Sequence, residues 1–400
     1  MPMKIIKNRI EEIREHVNSG MREAALKLIY GLFTQELQEI CGAKHSRKGE
    51  ELATRAGSDP GSVFLSGQRI VVKKPRAKRA GKEVELESYG ALQSFDLLCD
   101  KVMAHMLGGV STRNYEGLLD EVAGSTGLSK SSVSKAFKQG SKQELEKVNS
   151  RDLSKQHWVA LMVDAVHIGD FAVVVALGIN KEGKKHILGL KQGATEDWEI
   201  VRDLFRNLVD RGFKTHHALL FVIDGAKALR KGINKYFGKD QAIQRCTLHK
   251  QRNIMKYLDK KHHPEFKRRW KKLHGHKDFE EAKKEYKTLV HWLGELNFEA
   301  QKSLEEANME TLTVIKLGVP ALLRKTLMST NPIESIFDKV RVKSSRVKNW
   351  SSGSDQVSRW SATILLDAEK RFRTLKGYKD IAKLIAELKT FNLQEQLEVA

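Results

Sequence analysis

The chain has 400 residues, and 40% of them are hydrophobic, which supplies enough apolar material for packed cores and excludes wholesale disorder. Its 71 Lys and Arg residues outnumber its 50 Asp and Glu residues, and the formal net charge of +21 favours a polyanionic partner. No apolar stretch is long enough to span a bilayer, and three widely spaced cysteines exclude a disulfide scaffold. These features predict a cytoplasmic protein of two or three domains, with no membrane partner.

Residues 1–60 are predicted to form an N-terminal helical region. Apolar residues recur at helical spacing from Ile6 to Val17, and a second helical run is predicted from Arg22 to Ile40. Residues 42–61 contain Gly and Pro among polar residues, and this composition predicts a loop or a linker.

A basic segment and a helix-turn-helix pattern lie within residues 61–150. Two strand-like runs carry seven lysines and arginines and no acid between Arg69 and Lys82, although charge alone would also fit a solvated surface. Residues 115–138 have the spacing of a helix-turn-helix, with an ordinary helical hairpin as the alternative. The second helix would present short polar and basic groups to DNA, namely Lys130, Ser131, Ser134 and Lys135. We therefore predict a DNA-binding region here, in a mainly helical N-terminal part.

Strands and helices alternate from Trp158 onwards. The order β-β-β-α-β-α-β-α predicts an antiparallel meander followed by parallel strands joined through helical crossovers. This order matches the ribonuclease-H-like fold, so we predict an α/β protein whose core begins in residues 151–250. Residues 251–328 are basic and show no strand pattern, which predicts a helical insertion. Residues 329–400 are predicted to contribute the final core helices and a basic C-terminal region.

Three acidic residues stand out by their positions. Asp164 lies inside an apolar strand, where an ionised carboxylate is costly unless it is paired or binds a metal. Asp224 ends a later strand, at the sheet edge where ligands usually bind. Glu334 follows Asn331-Pro332. Each also has a structural interpretation: a backbone cap at Asp164, a helix N-cap at Asp224, and a capping box at Glu334 with Asn331 as N-cap.

Several stretches of the sequence resemble the Mutator-type DDE transposases of bacterial insertion sequences. They are GSVFLSGQRIVVKKPR, VDAVHIGDFAVVVALGINKEGKKHILGLKQGATED, LFVIDGAKAL, QRCTLHKQRNI and STNPIESIFDKVR, in that order, and they cover most of residues 60–375. The resemblance implies a DNA transposase that binds the ends of an insertion element, cleaves DNA strands there and transfers them into target DNA. It implies double-stranded DNA as partner, as terminal repeats and as target. It further implies a homo-oligomer on DNA, associated with the nucleoid of a prokaryotic cell.

By this resemblance Asp164, Asp224 and Glu334 are the catalytic triad and its metal ligands. The helical insertion falls between Asp224 and Glu334, as it does in the family. Phosphodiester cleavage by such a triad uses two divalent cations, and Mg²⁺ or Mn²⁺ prefers carboxylate oxygens. We therefore expect two such ions.

Cys246 and His249 form a Cys-x-x-His pair at the start of a predicted helix. The resemblance places this pair beside the catalytic centre, and we expect it to act with the triad. Two alternatives are a buried packing cysteine with a hydrogen-bonded histidine, and a zinc site, which needs further ligands. The candidates for those further ligands are His262, His263, His274 and His276.

A basic strip follows Glu334. Arg341 falls on the same helical face as Glu334 and Asp338, and it resembles the family's basic residue after the catalytic glutamate. It could hold a DNA phosphate near the metal ions. The strip is extended by Lys343, Arg346 and Lys348, for which a solvated helix end is the alternative.

Two other functions stay open at this level. A non-catalytic DNA-binding regulator would keep the helix-turn-helix and use its acids structurally. A ribonuclease-H-like nuclease would cleave DNA without joining it, although the long insertion argues against this. Convergence of the three acids separates the transposase from the regulator, and a strand-transfer assay separates it from the nuclease.

Overall fold

The computed structural model describes residues 23–44, 53–65, 68–93, 95–108, 125–126, 130–194, 197–213, 219–347 and 349–399. The chain divides into two compact units, residues 1–140 and 141–400. The helix predicted over Ile6–Val17 and the first helix of the predicted helix-turn-helix lie outside the described residues.

The first unit combines helices with an antiparallel sheet. Helix α1 spans residues 23–41, which confirms the helical run predicted from Arg22 to Ile40. The strands are β1 (Thr54–Leu65), β2 (Gln68–Arg79), β3 (Lys82–Val84) and β4 (Ser125–Thr126). They pair in the order β1-β2-β3, and β4 also pairs with β2. The helices that follow are α2 (Glu87–Leu92), α3 (Phe95–Gly108) and α4 (Lys130–Ser150), the last of which continues into the second unit.

Strand β1 begins inside the segment predicted to be a loop. It starts at Thr54, so the prediction of a loop up to residue 61 is wrong over this part. The ladder with β2 satisfies the backbone groups of the Gly-rich stretch. Gly57, with φ +81°, lies at the register shift between Arg55 and Ser58, a conformation that glycine adopts without strain. Cross-strand pairing therefore overrides local composition here.

The second unit is built on a five-stranded sheet of order β7-β6-β5-β8-β9. Its strands are β5 (Trp158–Ile168), β6 (Phe171–Asn180), β7 (Lys185–Gly193), β8 (Leu220–Ile223) and β9 (Ala242–Arg245). Strands β5, β6 and β7 form an antiparallel meander, whereas β8 and β9 run parallel to β5 on its other side. The predicted order of strands and helices is confirmed, and β5 is the central strand.

The two faces of this sheet are covered by different helices. Helices α5 (Trp198–Asp210) and α6 (Lys227–Tyr236) share a buried core with Leu161 and Val163 of β5. Successive side chains of a strand point to opposite faces, so Met162 and Asp164 lie on the other face. Helix α13 (Asn331–Ser344) packs against β5, and α14 (Gln356–Glu369) packs against β6 and β7.

Residues 246–347 are fully described and contain no strand, which confirms the helical character predicted for residues 251–328. The helices before α13 are α7 (Thr247–Met255), α8 (His263–Gly275), α9 (Phe279–Leu296), α10 (Phe298–Glu306), α11 (Thr313–Lys316) and α12 (Ala321–Leu327). Helices α7 to α11 share a core that includes Phe266, Trp270 and Leu289. Helix α15 (Ile381–Val399) follows α14. Among the described helices, none combines the length and apolar character needed to cross a membrane.

Candidate active site

Two acids lie at one edge of the five-stranded sheet. Strands β5 and β8 are parallel, and the last pair in their register is Val163 with Ile223. Asp164 and Asp224 are the next residues on the two strands, so they occupy neighbouring positions at the carboxyl end of this pairing. In open α/β sheets this edge is where ligands bind.

Asp164 is a buried carboxylate that is only half satisfied. It is 6% exposed, and one carboxylate oxygen, Oδ1, accepts the N–H of Ala165 at 2.9 Å. Its other oxygen, Oδ2, is buried and has no hydrogen-bond partner among the described residues. Burial raises the pKa of Asp164 to about 6; the charge of His249, the Ala165 N–H and the nearby Thr330 hydroxyl oppose this rise, and the charge of Asp224 adds to it. The backbone-cap interpretation accounts for the burial of Oδ1. It does not account for Oδ2, whose burial without a hydrogen bond costs free energy.

Asp224 turns the chain sharply after β8. Its carboxylate accepts the N–H of Ala226 at 2.9 Å, as in an Asx turn. The N-cap of α6 is Ala226, whose side chain makes no capping hydrogen bond. The alternative interpretation of Asp224 as the helix N-cap is therefore wrong. Gly225 has φ +115°, and a Cβ at this position would overlap the guanidinium of Arg245. The turn therefore requires glycine.

Replacing Gly225 with Ala is expected to lower the free energy of unfolding by about 1–3 kcal/mol or more, because it adds backbone strain and a clash with Arg245. The matched control is Gly275→Ala at the end of α8, where an added methyl group meets nothing within 4 Å. Chemical denaturation of both variants checks the prediction. Equal stability of the two would contradict the tight turn after β8.

Glu334 lies in the first turn of α13, but not in a capping box. The helix starts at Asn331 with Thr330 as the N-cap, so the predicted N-cap role of Asn331 is wrong by one position. The Thr330 carbonyl accepts the N–H of Glu334 at 3.0 Å. The Glu334 carboxylate accepts the Thr330 hydroxyl at 3.2 Å, and it lies 3.3 Å from Arg252 Nη1 and 3.7 Å from His249 Nε2.

Cys246 connects the start of α7 to the start of α13. It is fully buried and is the N-cap of α7. Its Sγ accepts the N–H of His249 at 3.5 Å and the N–H of Thr330 at 3.4 Å, and the Thr330 hydroxyl oxygen also lies 3.4 Å from it. The same hydroxyl lies 3.4 Å from His249 Nδ1. The contacts of Cys246 thus hold Thr330 at the start of α13, and they bring His249 beside Glu334.

His249 carries a positive charge between two of the acids. Its interaction with Cys246 raises the pKa of His249 to about 9 against the effect of burial, and the charges of Asp164 and Glu334 reinforce the rise. Burial is the largest influence on the Cys246 thiol and opposes its ionisation, but the hydrogen bonds from His249 and Thr330 lower its pKa overall. The positive charge of His249 thus offsets the mutual repulsion of the surrounding carboxylates.

The histidines considered as further zinc ligands make other contacts. His262 packs on Trp292, His263 faces the carbonyls of Met255 and Leu258, His274 faces the carbonyl of Trp270, and His276 pairs with Glu281. Instead, one ligand atom each of Cys246, His249 and Glu334 lie within 4.8 Å of one another. The third member of this cluster comes from the helix that follows the insertion.

Sequence reasoning missed an ion-pair cluster in which two buried cations meet the half-exposed Glu306. Arg245 is 6% exposed and donates to both carboxylate oxygens of Glu306, at 3.1 and 3.0 Å. Lys250 is buried as well and donates to Glu306 at 2.6 Å. The cluster ties β9 and α7 to α10 of the helical insertion. Thr330 and Arg252 were also missed, and neither residue carries a local signal of its role.

The predicted DNA-binding residues fall into two groups, one in each unit. On α4, Ser131, Ser134 and Lys135 are exposed, whereas the intervening Val133 is buried; the side chain of Lys130 lies outside the described set. In the second unit, the exposed Arg341 lies 2.7 Å from Asp338.

Lys343, in the strip after Glu334, pairs with Asp367 of α14 at 2.9 Å, so its charge is engaged within the protein. Arg346 is exposed just beyond α13, and Lys348 is not among the described residues.

Comparison with known proteins adds a consistent set of relatives. A family model described as "Transposase, Mutator family" matches residues 3–374. The transposase for insertion sequence element ISRM5 of Rhizobium meliloti (strain 1021) is 27% identical over 335 residues, which cover 80% of this chain and 81% of that protein. The transposase for IS6120 of Mycolicibacterium smegmatis is 29% identical, and the match covers 66% of this chain and 81% of that protein. The transposase for IS256 in Tn4001 of Staphylococcus aureus is 26% identical, and the match covers 66% of this chain and 70% of that protein.

Proposed function

Since the chain belongs to the Mutator family of transposases, we propose that it binds the ends of an insertion element, cleaves DNA strands there and transfers them into target DNA. We further propose that the second unit has a ribonuclease-H-like core. One observation carries the proposal: the buried Asp164 and the adjacent Asp224 follow directly on the last parallel pair of β5 and β8, and the helix that bears Glu334 packs against the central strand.

We propose that Asp164, Asp224 and Glu334 hold two Mg²⁺ or Mn²⁺ ions. The buried, unpartnered Oδ2 of Asp164 supports this assignment, because a cation would supply the missing partner and carboxylates are the ligands such ions prefer. When bound, the two ions would activate the attacking oxygen and stabilise the leaving oxygen of a phosphodiester.

The protein's own side chains would prepare this site in different ways. The sheet holds Asp164 and Asp224 at fixed neighbouring positions. The positive end of the α13 dipole stabilises the carboxylate of Glu334, and the Thr330 hydroxyl orients it. The charge of His249 keeps the acids from repelling one another before cations bind.

Cys246 acts as a positioning residue in this proposal. Its full burial keeps it from touching DNA, and its sulfur holds both His249 and Thr330. Arg252 pairs with Glu334 and is itself well exposed, so it can move from the carboxylate to a DNA phosphate when DNA binds.

Chelation of divalent ions with EDTA is expected to abolish cleavage of element ends and to leave binding of those ends in place, because the basic surface contacts phosphates without the ions. A labelled-end cleavage assay and a gel-shift assay on the same sample check this. Cleavage that persists in EDTA would contradict the metal-dependent site.

Binding of element ends is expected to weaken steeply with salt. If six or more phosphates are contacted, log K should fall against log salt with a slope of about −5 or steeper, at about −0.9 per phosphate. Arg346→Gln should make the slope shallower by about 1. The matched control is Arg206→Gln on α5, whose side chain is 71% exposed on the other side of the sheet. An unchanged slope in Arg346→Gln would remove Arg346 from the DNA-binding surface.

A further inference from the structure

We propose that Cys246, His249 and Glu334 form a separate site for one soft divalent cation of the zinc class, and that this ion withdraws Glu334 from the acids. The binding site rests on geometry alone. The withdrawal of Glu334 rests on the function proposed above.

The geometry of the cluster suits such an ion. The sulfur, imidazole and carboxylate ligand atoms lie within 4.8 Å of one another, and His249 Nε2 is 3.7 Å from Glu334 Oε1. Zinc distances of about 2.0–2.3 Å in a tetrahedron place ligand atoms about 3.3–3.8 Å apart, so the nitrogen and oxygen already have this spacing. The sulfur lies within 4.8 Å of a ligand atom of each of the other two residues, so it would have to move closer for all three to bind one ion. Three protein ligands and one water is the arrangement of zinc sites that keep an open position.

The surroundings of the sulfur favour its role as an anionic ligand. Two helix N-termini meet there, because Cys246 is the N-cap of α7 and Thr330 is the N-cap of α13. Each helix start donates a backbone N–H to Sγ, from His249 and from Thr330. Such donors and the positive ends of both helix dipoles stabilise a thiolate, which is the form that binds metal.

The histidine is also oriented for coordination, and an ion that binds Nε2 would displace the proton of the charged imidazole into solvent. Its Nδ1 faces the Thr330 hydroxyl at 3.4 Å, which leaves Nε2 directed towards Glu334. A hydrogen bond at the remote ring nitrogen is the usual support of a metal-binding histidine. Arg252 contacts Oε2 of Glu334, so Oε1 is the oxygen that the site would use.

The two sites would share Glu334 and select different ions. Sulfur and imidazole ligands favour zinc-class ions, whereas the all-carboxylate set of Asp164, Asp224 and Glu334 favours Mg²⁺. While the carboxylate of Glu334 binds an ion together with Cys246 and His249, it cannot complete the proposed Mg²⁺ site with Asp164 and Asp224. Zinc-class ions would therefore inhibit cleavage reversibly.

Cobalt(II) titration of the purified full-length protein tests the site directly, because a Co²⁺–thiolate bond gives a charge-transfer band in the near ultraviolet. We expect a band that saturates at one equivalent, that Zn²⁺ displaces and that excess Mg²⁺ does not. The band should persist in a variant with Cys41→Ser and Cys99→Ser, and it should vanish in Cys246→Ser. No band in the wild-type protein, or a band retained in Cys246→Ser, would overturn the site.

Two further variants keep the thiol and guard against misfolding of Cys246→Ser. His249→Ala and Glu334→Gln should each weaken Co²⁺ affinity at least tenfold, with circular dichroism unchanged; unaltered affinity in both would refute the three-ligand site. Zn²⁺ added to Mg²⁺-dependent cleavage should inhibit at the concentration that fills the site. A filled site with undiminished cleavage would refute the withdrawal of Glu334, whereas a band in a protein that never cleaves DNA would refute only the proposed function.

Discussion

Replacing Glu334 with Gln is expected to reduce Mg²⁺-dependent cleavage of element ends by several orders of magnitude while DNA binding persists. Gln lacks the negative charge that a hard cation requires of its ligand. Its side-chain oxygen can still accept the Thr330 hydroxyl, and Glu334 caps no backbone N–H through its side chain, so stability should change by less than about 1 kcal/mol. Single-turnover cleavage, gel shift and thermal unfolding of the same preparation measure the three quantities.

Asp338 provides the matched control for this substitution. It lies one turn further along α13, is exposed and pairs with Arg341 rather than with the acid site. Asp338→Asn should therefore cleave at close to the wild-type rate. If Glu334→Gln cleaves normally and Asp338→Asn does not, the third acid is Asp338 and the assignment of Glu334 is wrong.

Replacing Asp164 with Asn is expected to abolish cleavage and, without divalent ions, to stabilise the protein at neutral pH. Cleavage would be lost because the amide removes the anionic metal ligand that we propose on the central strand. Stability rises because the buried charge of Asp164 opposes folding, as its raised pKa of about 6 indicates. Asn can keep the hydrogen bond from Ala165, so the gain should be on the order of 1–3 kcal/mol.

The pH dependence of this stability difference has a defined sign. Asp164 has a higher pKa in the folded than in the unfolded protein, so the wild-type protein loses stability as pH rises from about 4 to about 6. Relative to the wild type, Asp164→Asn should thus gain its full advantage above pH 6 and lose it towards pH 4. Thermal unfolding of both proteins in EDTA from pH 4 to 8 measures the difference. A variant less stable than the wild type at pH 8 would contradict the unsatisfied buried charge.

The strands, and the two acids on them, could be predicted from the sequence because the signals are local. The apolar run of β5 contains Asp164, and the apolar run of β8 is followed directly by Asp224. The order of elements alone implies that these two strands are neighbours. The start of α13 could not be predicted, because Thr330 becomes the N-cap through contacts with Cys246, far away in the chain. Local rules favoured Asn331 before Pro332, and a tertiary contact shifted the start by one residue.

The residue that joins Cys246 and His249 in a cluster could not be predicted from the sequence either. The Cys-x-x-His spacing suggests metal ligands, but the carboxylate that joins the pair comes from Glu334, beyond the whole helical insertion. The basic strip shows the converse case, because Lys343 looks free in sequence and is paired with Asp367 of the next helix. Partners distant in sequence decide which charged groups remain available, and a single sequence does not show them.

Incubating the purified full-length protein with labelled element ends, target DNA and Mg²⁺ tests the proposed activity most directly. We expect strands cut at the element ends and then joined to target DNA, with neither product formed in EDTA or by Glu334→Gln. Bound ends that are never cut would contradict a catalytic role for Asp164, Asp224 and Glu334 and favour a DNA-binding regulator. Cut ends that are never joined would make the protein a nuclease and not a transposase.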